Sequence, residues 1–319
     1  MDVLISIINY ATPEMTKAAV KSALAELSGL DGKVVVVDNA SPDGSSADLA
    51  DWAEALDDPR LAVRLSPINT GFSGGHNLAM GTEDADYALI LNSDAILRPG
   101  ALGTLLRTAK AEPDAALISP LLQYEDGRVQ VSTFIAFRPI NEFVRAAETG
   151  VISRMMPFAD QNRLPPPEGP DIGWVSFACV LLNMRAAKVL GPMDEGFFLY
   201  FEDADYCMQA QTKGWRVIKT KDAVVVHHRG GSAPVKGLIK RRERLPAYFY
   251  ASRTRLFRKH FGPLGPFAAN LLFLAGYVIA RLRAPFGGQP LSSPKREWLD
   301  IWTNFWDPLG DSRGPRRDG

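Results

Sequence analysis

The sequence is short of the features that mark several common protein classes. Two cysteines in 319 residues are too few for a disulfide framework, although a single bridge stays open. Cys179 and Cys207 lie in apolar or helical stretches and read as reduced core residues. The formal net charge is +0, so bulk electrostatics give no reason to expect a nucleic-acid partner. A membrane-spanning helix needs ~20 apolar residues, and the run 267–280 stops short at Arg281 and Arg283. The chain enters a strand at Val3 with no basic leader ahead of it, so a cytoplasmic address is the expectation. Its glycine-rich segment carries neither G-x-G-x-x-G nor G-K-[ST], which excludes the dinucleotide fingerprint and the P-loop. No internal repeat is visible.

What is present is an alternation of strands and helices. Apolar runs at 3–8, 33–38, 61–66 and 87–91 read as strands, and 13–27 and 46–56 as helices, with Thr12 as N-cap of the first and a short helix near residue 77. Such alternation predicts an α/β fold with a mostly parallel sheet flanked by helices. A hydrophobic content of 46% is enough for a substantial core. Val131 to Gly173 reads as a long irregular stretch. Its run Pro165-Pro166-Pro167-Glu168-Gly169-Pro170 is incompatible with helix and reads as a linker or flexible loop.

Several of these strands close on acids. Four consecutive valines, 34–37, describe a buried parallel strand ending at Asp38, and Tyr87 to Leu91 leads into Asn92-Ser93-Asp94. In open α/β sheets ligands bind outside the carboxyl ends of the strands; taken alone, Asp38 is equally readable as a turn-initiating residue. Glu202 and Asp203 follow the aromatic run Leu199-Tyr200-Phe201 at the mouth of a helix. Ionised groups there suit a general base at the edge of a pocket, or alternatively an acidic helix start favoured by the helix dipole. His227 and His228 close the apolar run 223–226, where a satisfied structural pair is the simpler alternative to a ligand. The segment Asn69-Thr70-Gly71-Phe72-Ser73-Gly74-Gly75-His76-Asn77 reads as a glycine-rich turn with exposed backbone N–H groups, or as an ordinary loop.

Taken together, Ile5 to Tyr10, Val37 to Ser41, Asn69 to Asn77, Leu91 to Asp94, Tyr200 to Asp205 and Val226 to His228 resemble, in order, the inverting GT-A glycosyltransferases of family 2. The likeness is to their bacterial rhamnosyltransferase-like branch, and it spans residues 3 to about 260. The resemblance implies a GT-A domain over 1–235, with a nucleotide-sugar half (1–110) and an acceptor and base half (111–235). Residues 236–310 follow as a helical appendage, and 311–319 as a disordered tail. It implies transfer of a sugar from a nucleotide diphosphate, dTDP-rhamnose first and a UDP-hexose second, to a hydroxyl of a cell-envelope glycan or glycolipid precursor. It places Asn9, Asp38, Asn69, Gly71, Gly74, Asn77, Asn92 and Asp94 around the donor, with Asp38 on the base or ribose. Asp94 and His227 are the implied ligands of Mg²⁺ or Mn²⁺, and Asn92 and Ser93 stand where relatives often carry other residues, which leaves one anionic ligand. Asp203 matches the catalytic base, and Glu202 takes a positioning or acceptor-contacting role. Trp174 is the implied sugar-facing aromatic. Phe177 stands where relatives often have glycine, either narrowing the pocket or packing in the core, and Arg229 to Ser232 form a turn that could close over the donor.

The C-terminal third is rich in Lys and Arg interleaved with aromatics over 236–259, followed by the apolar run 267–280 and the aromatic tail Trp298, Trp302, Phe305 and Trp306. A peripheral membrane surface, with basic residues meeting anionic lipid, is one reading; a core or dimer helix is the other. Two further classes remain alongside the transferase: a non-catalytic sugar-nucleotide-binding subunit, and a sugar nucleotidyltransferase. The second normally opens with a glycine-rich loop and an arginine after strand one, which Asn9-Tyr10-Ala11-Thr12-Pro13 does not supply.

Overall fold

In the computed structural model, residues 1–228, 235–286 and 293–315 are described. The expected turn Arg229 to Ser232 and the last four residues of the expected tail lie outside them. The strands are β1 (Val3–Asn9), β2 (Gly32–Asp38), β3 (Leu61–Leu65), β4 (Tyr87–Asn92), β5 (Ala95–Leu97), β6 (Ala115–Gln123), β7 (Thr133–Phe134), β8 (Trp174–Val175), β9 (Cys179–Asn183) and β10 (Arg216–His227). The helices of the first half are α1 (Pro13–Glu26), α2 (Ser45–Leu56), α3 (Gly71–Met80), α4 (Ala101–Ala111), α5 (Pro139–Ala147) and α6 (Gly150–Met155). Those of the second half are α7 (Met184–Leu190), α8 (Glu202–Thr212), α9 (Val235–Arg241), α10 (Ala247–Phe261), α11 (Gly265–Arg283) and α12 (Glu297–Asp300).

Eight strands form one sheet in the order β3-β2-β1-β4-β9-β6-β10-β5, and β7 pairs with β8 in a separate hairpin. The pairs β1–β2, β1–β4, β2–β3 and β6–β10 are parallel, while β9 runs antiparallel between β4 and β6. The carboxyl ends of β1, β2, β4, β6 and β10 therefore share one edge, together with the amino end of β9. The valine run shows why this sheet is buried on both faces. Successive side chains alternate sides, so Val34 and Val36 join one core cluster while Val35 and Val37 join another. Each such burial contributes about 1.5–3 kcal/mol.

Two expectations need correction. The glycine-rich segment is not a turn: Gly71 opens α3, whose first turns are buried. The stretch from Val131 to Gly173 is not irregular throughout, since it holds β7, α5 and α6. Pro139 at the first turn starts α5 where its missing N–H costs nothing. The helix packs on α11, with Gly276 so close to the Phe143 carbonyl that a Cβ there would sit 2.4 Å from the oxygen. An ion cluster built on the buried acids Glu142 and Glu297 sits beside this contact. Arg145 bridges Glu142 and Glu297 at 2.8 Å each, Arg253 reaches Glu142 at 3.2 Å, and Arg253 also donates to Asn270 at 2.8 Å. Burial pushes the Glu142 carboxyl up, but Arg145 and Arg253 outweigh it and hold the group at about 2.

Within the basic stretch 236–259, Lys240, Arg241 and Arg242 are exposed, while other charges pair within the protein. Arg253, Arg255 and Lys259 point inward to Glu142, Asp194 and Asp205, and Arg244 pairs with Asp300. The apolar run belongs to α11, which is 19 residues long; one of its faces is buried, and Phe267, Leu271, Val278 and Leu282 are exposed. Asp311 to Pro315 carry no helix or strand, but Arg313 donates to Asn304 and ties this part of the tail back.

Candidate active site

At the carboxyl end of β1, Asn9 is fully buried and acts as a hub. Its amide nitrogen donates to Asp38 (2.7 Å), Ser41 (3.1 Å) and Ser45 (3.2 Å), while its oxygen accepts from Thr16 at 2.9 Å. Asp38 accepts from Asn9, from the Ser41 backbone and hydroxyl, and from Ser46. Both of its oxygens are thus engaged, and in this conformation it shapes the loop from β2 to α2 from beneath. Thr12 occupies the N-cap of α1, yet its side chain makes no cap bond; it meets Asn9 and Ser93 instead.

The glycine segment joins the two halves of the site. Asn39 donates to Asn69 and to the Gly71 carbonyl, and accepts from the Thr70 N–H. The N–H of Phe72 donates to the Phe198 carbonyl at 2.8 Å. Gly71 is required there twice over: its φ is +72°, and a Cβ would lie 2.1 Å from the Phe198 oxygen. Gly74 and Gly75 press against Thr70 and Ile8. Asn77 donates to the Met193 carbonyl and to Glu195, and accepts from the Met193 N–H. These residues brace the segment that leads into Glu202 and Asp203.

Asn92, at the end of β4, is half-buried, and Asp94 lies just beyond it. β5 and β10 run antiparallel with Ala95 opposite His227, which sets Asp94 Oδ1 3.3 Å from His227 Nε2. His228 turns away to Glu125 at 2.6 Å, which answers which histidine faces Asp94. The orientation of His227 is fixed by Gln130, a residue that sequence reasoning missed. The Gln130 amide nitrogen donates to the His227 carbonyl at 2.5 Å, so its oxygen faces Nδ1 at 3.1 Å. An amide oxygen only accepts, so Nδ1 carries its proton toward Gln130 and leaves Nε2 as the ring atom that faces the Asp94 carboxylate. Nε2 and the carboxylate together could ligate a divalent cation. A carboxylate and an oriented imidazole suit Mn²⁺ or a similar divalent ion. Among the described residues no group of three or more His, Cys, Asp or Glu forms such a site, so oxygen ligands from outside the protein would have to complete it.

Glu202 and Asp203 open α8. The two residues before them, Tyr200 and Phe201, are held at φ +71° and +70°, a conformation costing roughly 1–3 kcal/mol for each non-glycine residue. Asp203 accepts from the Ala204 N–H at 2.8 Å. Burial pushes its carboxyl up to about 7, with the backbone N–H groups of Ala204 and Phe177 acting the other way. Glu202 is driven further above the usual carboxylate range by burial and by the adjacent Asp203, and its Oε2 is buried without a hydrogen-bond partner. Phe177 lies two residues before β9, and the Ala178 carbonyl between them accepts from the Asn92 N–H. Asp203 therefore stands at the same sheet edge as Asn92 and Asp94. The Phe177 ring itself packs in the core beside Tyr206 and does not narrow this edge.

Trp174 belongs to an aromatic column. It stacks on Phe134 (4.1 Å) and Phe137 (5.6 Å), donates its indole N–H to Gln161, and Phe137 in turn meets Phe201. Its ring is largely occupied by protein. A cavity of about 740 Å³ opens elsewhere, at the amino end of β10, and none of the predicted site residues line it.

A parallel-sheet edge that gathers a carboxylate–imidazole pair and a carboxylate raised by desolvation is chemically suited to group transfer. Comparison with known proteins is in accord: residues 2–173 match Glycosyl transferase family 2, and the chain belongs to that family. It is a glycosyltransferase of glycan biosynthesis with a GT-A fold. It is 29% identical over 224 residues to an N-acetylglucosaminyl-diphospho-decaprenol L-rhamnosyltransferase of Mycobacterium tuberculosis, covering 62% of this chain and 67% of the relative. Similarity to the low-salt glycan biosynthesis hexosyltransferase Agl10 of Haloferax volcanii is 23% over 231 residues, covering 71% and 67%. The fold matches a mannosyltransferase of Pyrobaculum calidifontis in complex with GDP-Man and Mn²⁺, with a TM-score of 0.55, 15% identity and coverage of 96% and 84%. It also matches GalNAc-T7 with UDP, GalNAc and Mn²⁺, with a TM-score of 0.56, 11% identity and coverage of 99% and 59%.

Proposed function

We propose that this glycosyltransferase inverts the anomeric centre of a nucleotide-diphosphate sugar as it transfers the sugar to a hydroxyl of a cell-envelope glycan or lipid-linked precursor. The observation that carries this reading is the shared sheet edge of the Asp94–His227 pair and Asp203. Asp203, ionised above about pH 7, takes the proton of the acceptor hydroxyl while that oxygen attacks the anomeric carbon opposite the leaving diphosphate, the role of the base in inverting glycosidases. Asp94 and His227 would hold a divalent cation together with the donor phosphates, and the cation would supply charge neutralisation of the diphosphate as it leaves. The orphaned Oε2 of Glu202, on a carboxyl whose neutral form burial favours, is suited to donate a hydrogen bond to an acceptor oxygen. Asn9 and Asp38 hold the loop against which the nucleotide would rest.

The mycobacterial relative favours dTDP-rhamnose as donor, with a UDP-hexose second. It favours a lipid-linked diphosphate acceptor as well, and α11 fits such an acceptor. Its exposed face, Phe267, Leu271, Val278 and Leu282 at helical spacing, is apolar except for Arg281 near its end, and exposed Trp298 and Trp302 lie beyond it. The acids Glu297 and Asp300 are spent on Arg145 and Arg244, while Lys295, Arg296 and Arg281 remain exposed. That charge distribution fits an anionic lipid surface, on the cytoplasmic side of a membrane, rather than a second copy of this chain. A turnover screen over dTDP-rhamnose, UDP-hexoses and GDP-mannose, with and without Mn²⁺, tests the donor. Absence of turnover with every sugar nucleotide, in the presence of lipid-linked acceptors, would refute the transferase mechanism.

A further inference from the structure

Asp205 has no place in the mechanism above, yet it is only 1% exposed and heavily engaged. Lys259 Nζ lies 2.7 Å from its Oδ2, His260 Nε2 lies 2.8 Å from its Oδ1, and Gln209 donates to Oδ2 at 2.6 Å. Lys259 also reaches Asp194 Oδ2 at 2.8 Å. Arg255 grips the same Asp194 with two parallel bonds, at 2.9 and 2.8 Å, and donates to the Leu309 carbonyl at 2.7 Å. Burial pushes the Asp194 carboxyl up, but Arg255 and Lys259 outweigh it and hold the acid at about 2. The fit is close: a Cβ on Gly196 would collide with the Arg255 guanidinium at 2.0 Å.

These contacts grip one segment at both its ends. Asp194 precedes the left-handed pair Tyr200-Phe201, and Asp205 lies in the first turn of α8 just after Glu202 and Asp203. A chain held in such a conformation relaxes unless its surroundings fix it. Here the surroundings include Arg255 and, one turn further along α10, Lys259 and His260. We propose that Lys259, aided by Arg255 and His260, is a positioning residue for the transfer reaction: it clamps the 194–205 segment so that Asp203 is presented at the sheet edge. The inference rests on Asp203 being the base.

The clamp acts through charge as well as geometry. Asp205 is faced by Lys259 and His260 from α10 and by Gln209 from its own helix, with Glu202 and Asp203 on the same first turn; Asp194 faces it across Lys259. Removing the Lys259 charge leaves Asp205 less compensated, and an uncompensated anion beside two carboxyl groups opposes their ionisation. The base would then need a higher pH to work.

The test compares full-length wild type with Lys259→Met, Lys259→Arg and Arg255→Gln, using dTDP-rhamnose and a UDP-hexose with Mn²⁺. Misplacing a reacting group by about 1 Å costs up to roughly 10²-fold. Lys259→Met is therefore expected to lower kcat tenfold or more, with little change in donor KM and with the acid limb of the pH profile moved upward; Lys259→Arg recovers part of the loss. Amide hydrogen exchange over 196–206 is expected to quicken in Lys259→Met and in Arg255→Gln, a readout that needs no substrate. A folded Lys259→Met with wild-type exchange, kcat and pH profile overturns the clamp. Asp203→Asn in the same series separates the two ideas: if it turns over normally, the base assignment beneath the clamp fails, whatever Lys259 does.

Discussion

Replacing Asp203 with asparagine keeps the shape of the side chain and its hydrogen bond from Ala204 while removing the ability to take a proton. Burial places the Asp203 carboxyl at about 7, so in the free enzyme the ionised, active form is half-populated there. In wild type, kcat/KM should fall roughly tenfold per pH unit below that point and level off above it. Asp203→Asn should lose on the order of 10²–10⁴-fold in kcat, with sugar-nucleotide affinity by calorimetry nearly unchanged. The same shift has a stability consequence of definite sign. The folded state favours the neutral acid, so stability present below the unfolded value of 3.8 is lost as pH rises toward about 7. The asparagine variant should therefore melt higher than wild type at neutral pH, by a margin that grows from about pH 4, levels off above about pH 7 and disappears in stronger acid. Loss of activity with a gain in melting temperature is the pattern expected of a base held in an unfavourable setting. Wild-type turnover by the variant, or a flat wild-type profile between about pH 6 and pH 8, would refute the reasoning.

Asp94→Ala and chelation by EDTA should each weaken sugar-nucleotide binding measured by calorimetry, with His227→Ala giving a smaller loss; full affinity in EDTA would exclude a metal-bridged donor. Gly71→Ala should destabilise the protein by at least about 1–3 kcal/mol, because it adds a strained φ and a clash with the Phe198 carbonyl. Thermal melting would register that as a fall of roughly 2–4 °C per kcal/mol. Vesicle flotation should recover wild type with anionic lipid and less so as salt rises, since screening shortens the reach of Lys295, Arg296 and Arg281. A Leu271→Gln/Val278→Gln variant should float poorly. Equal recovery of wild type and variant, or a stable dimer that the variant breaks, would rule out the lipid surface.

Much of the sheet is legible in the sequence because its strands are apolar runs that stop abruptly at polar residues. That pattern puts Asp38, Asp94 and His227 at strand ends, and the family resemblance adds Asn9 and gathers them into one site. What stays hidden depends on partners distant in sequence. Gly71, Gly74 and Gly75 lower helix propensity by about 1 kcal/mol each, so a turn is the natural reading; close approach of Phe198, Thr70 and Ile8 overrides it. Gln130 carries no local signal, since its partner His227 lies 97 residues away. The charges of 244–259 read as a solvated or lipid-facing surface because their acids, Glu142, Asp194, Asp205 and Asp300, lie elsewhere in the chain. Asp203 is identifiable by its motif, but the desolvation that raises its carboxyl is a property of packing.

The ion cluster of Glu142, Arg145, Arg253 and Glu297 bears on how the protein is made. The stretch matched to the family, residues 2–173, contains Glu142 and Arg145 but neither of their distant partners. At about 5–20 residues per second, the ribosome delivers Glu297 roughly 10–30 s after α5 is complete. Throughout that interval the face of α5 that α11 later covers is bare, and Arg145 has only its neighbour Glu142 for company. The nascent chain should therefore engage chaperones late in synthesis, and ribosome-bound intermediates ending between α5 and α12 should be open to protease at α5 while the β1–β4 sheet is already protected.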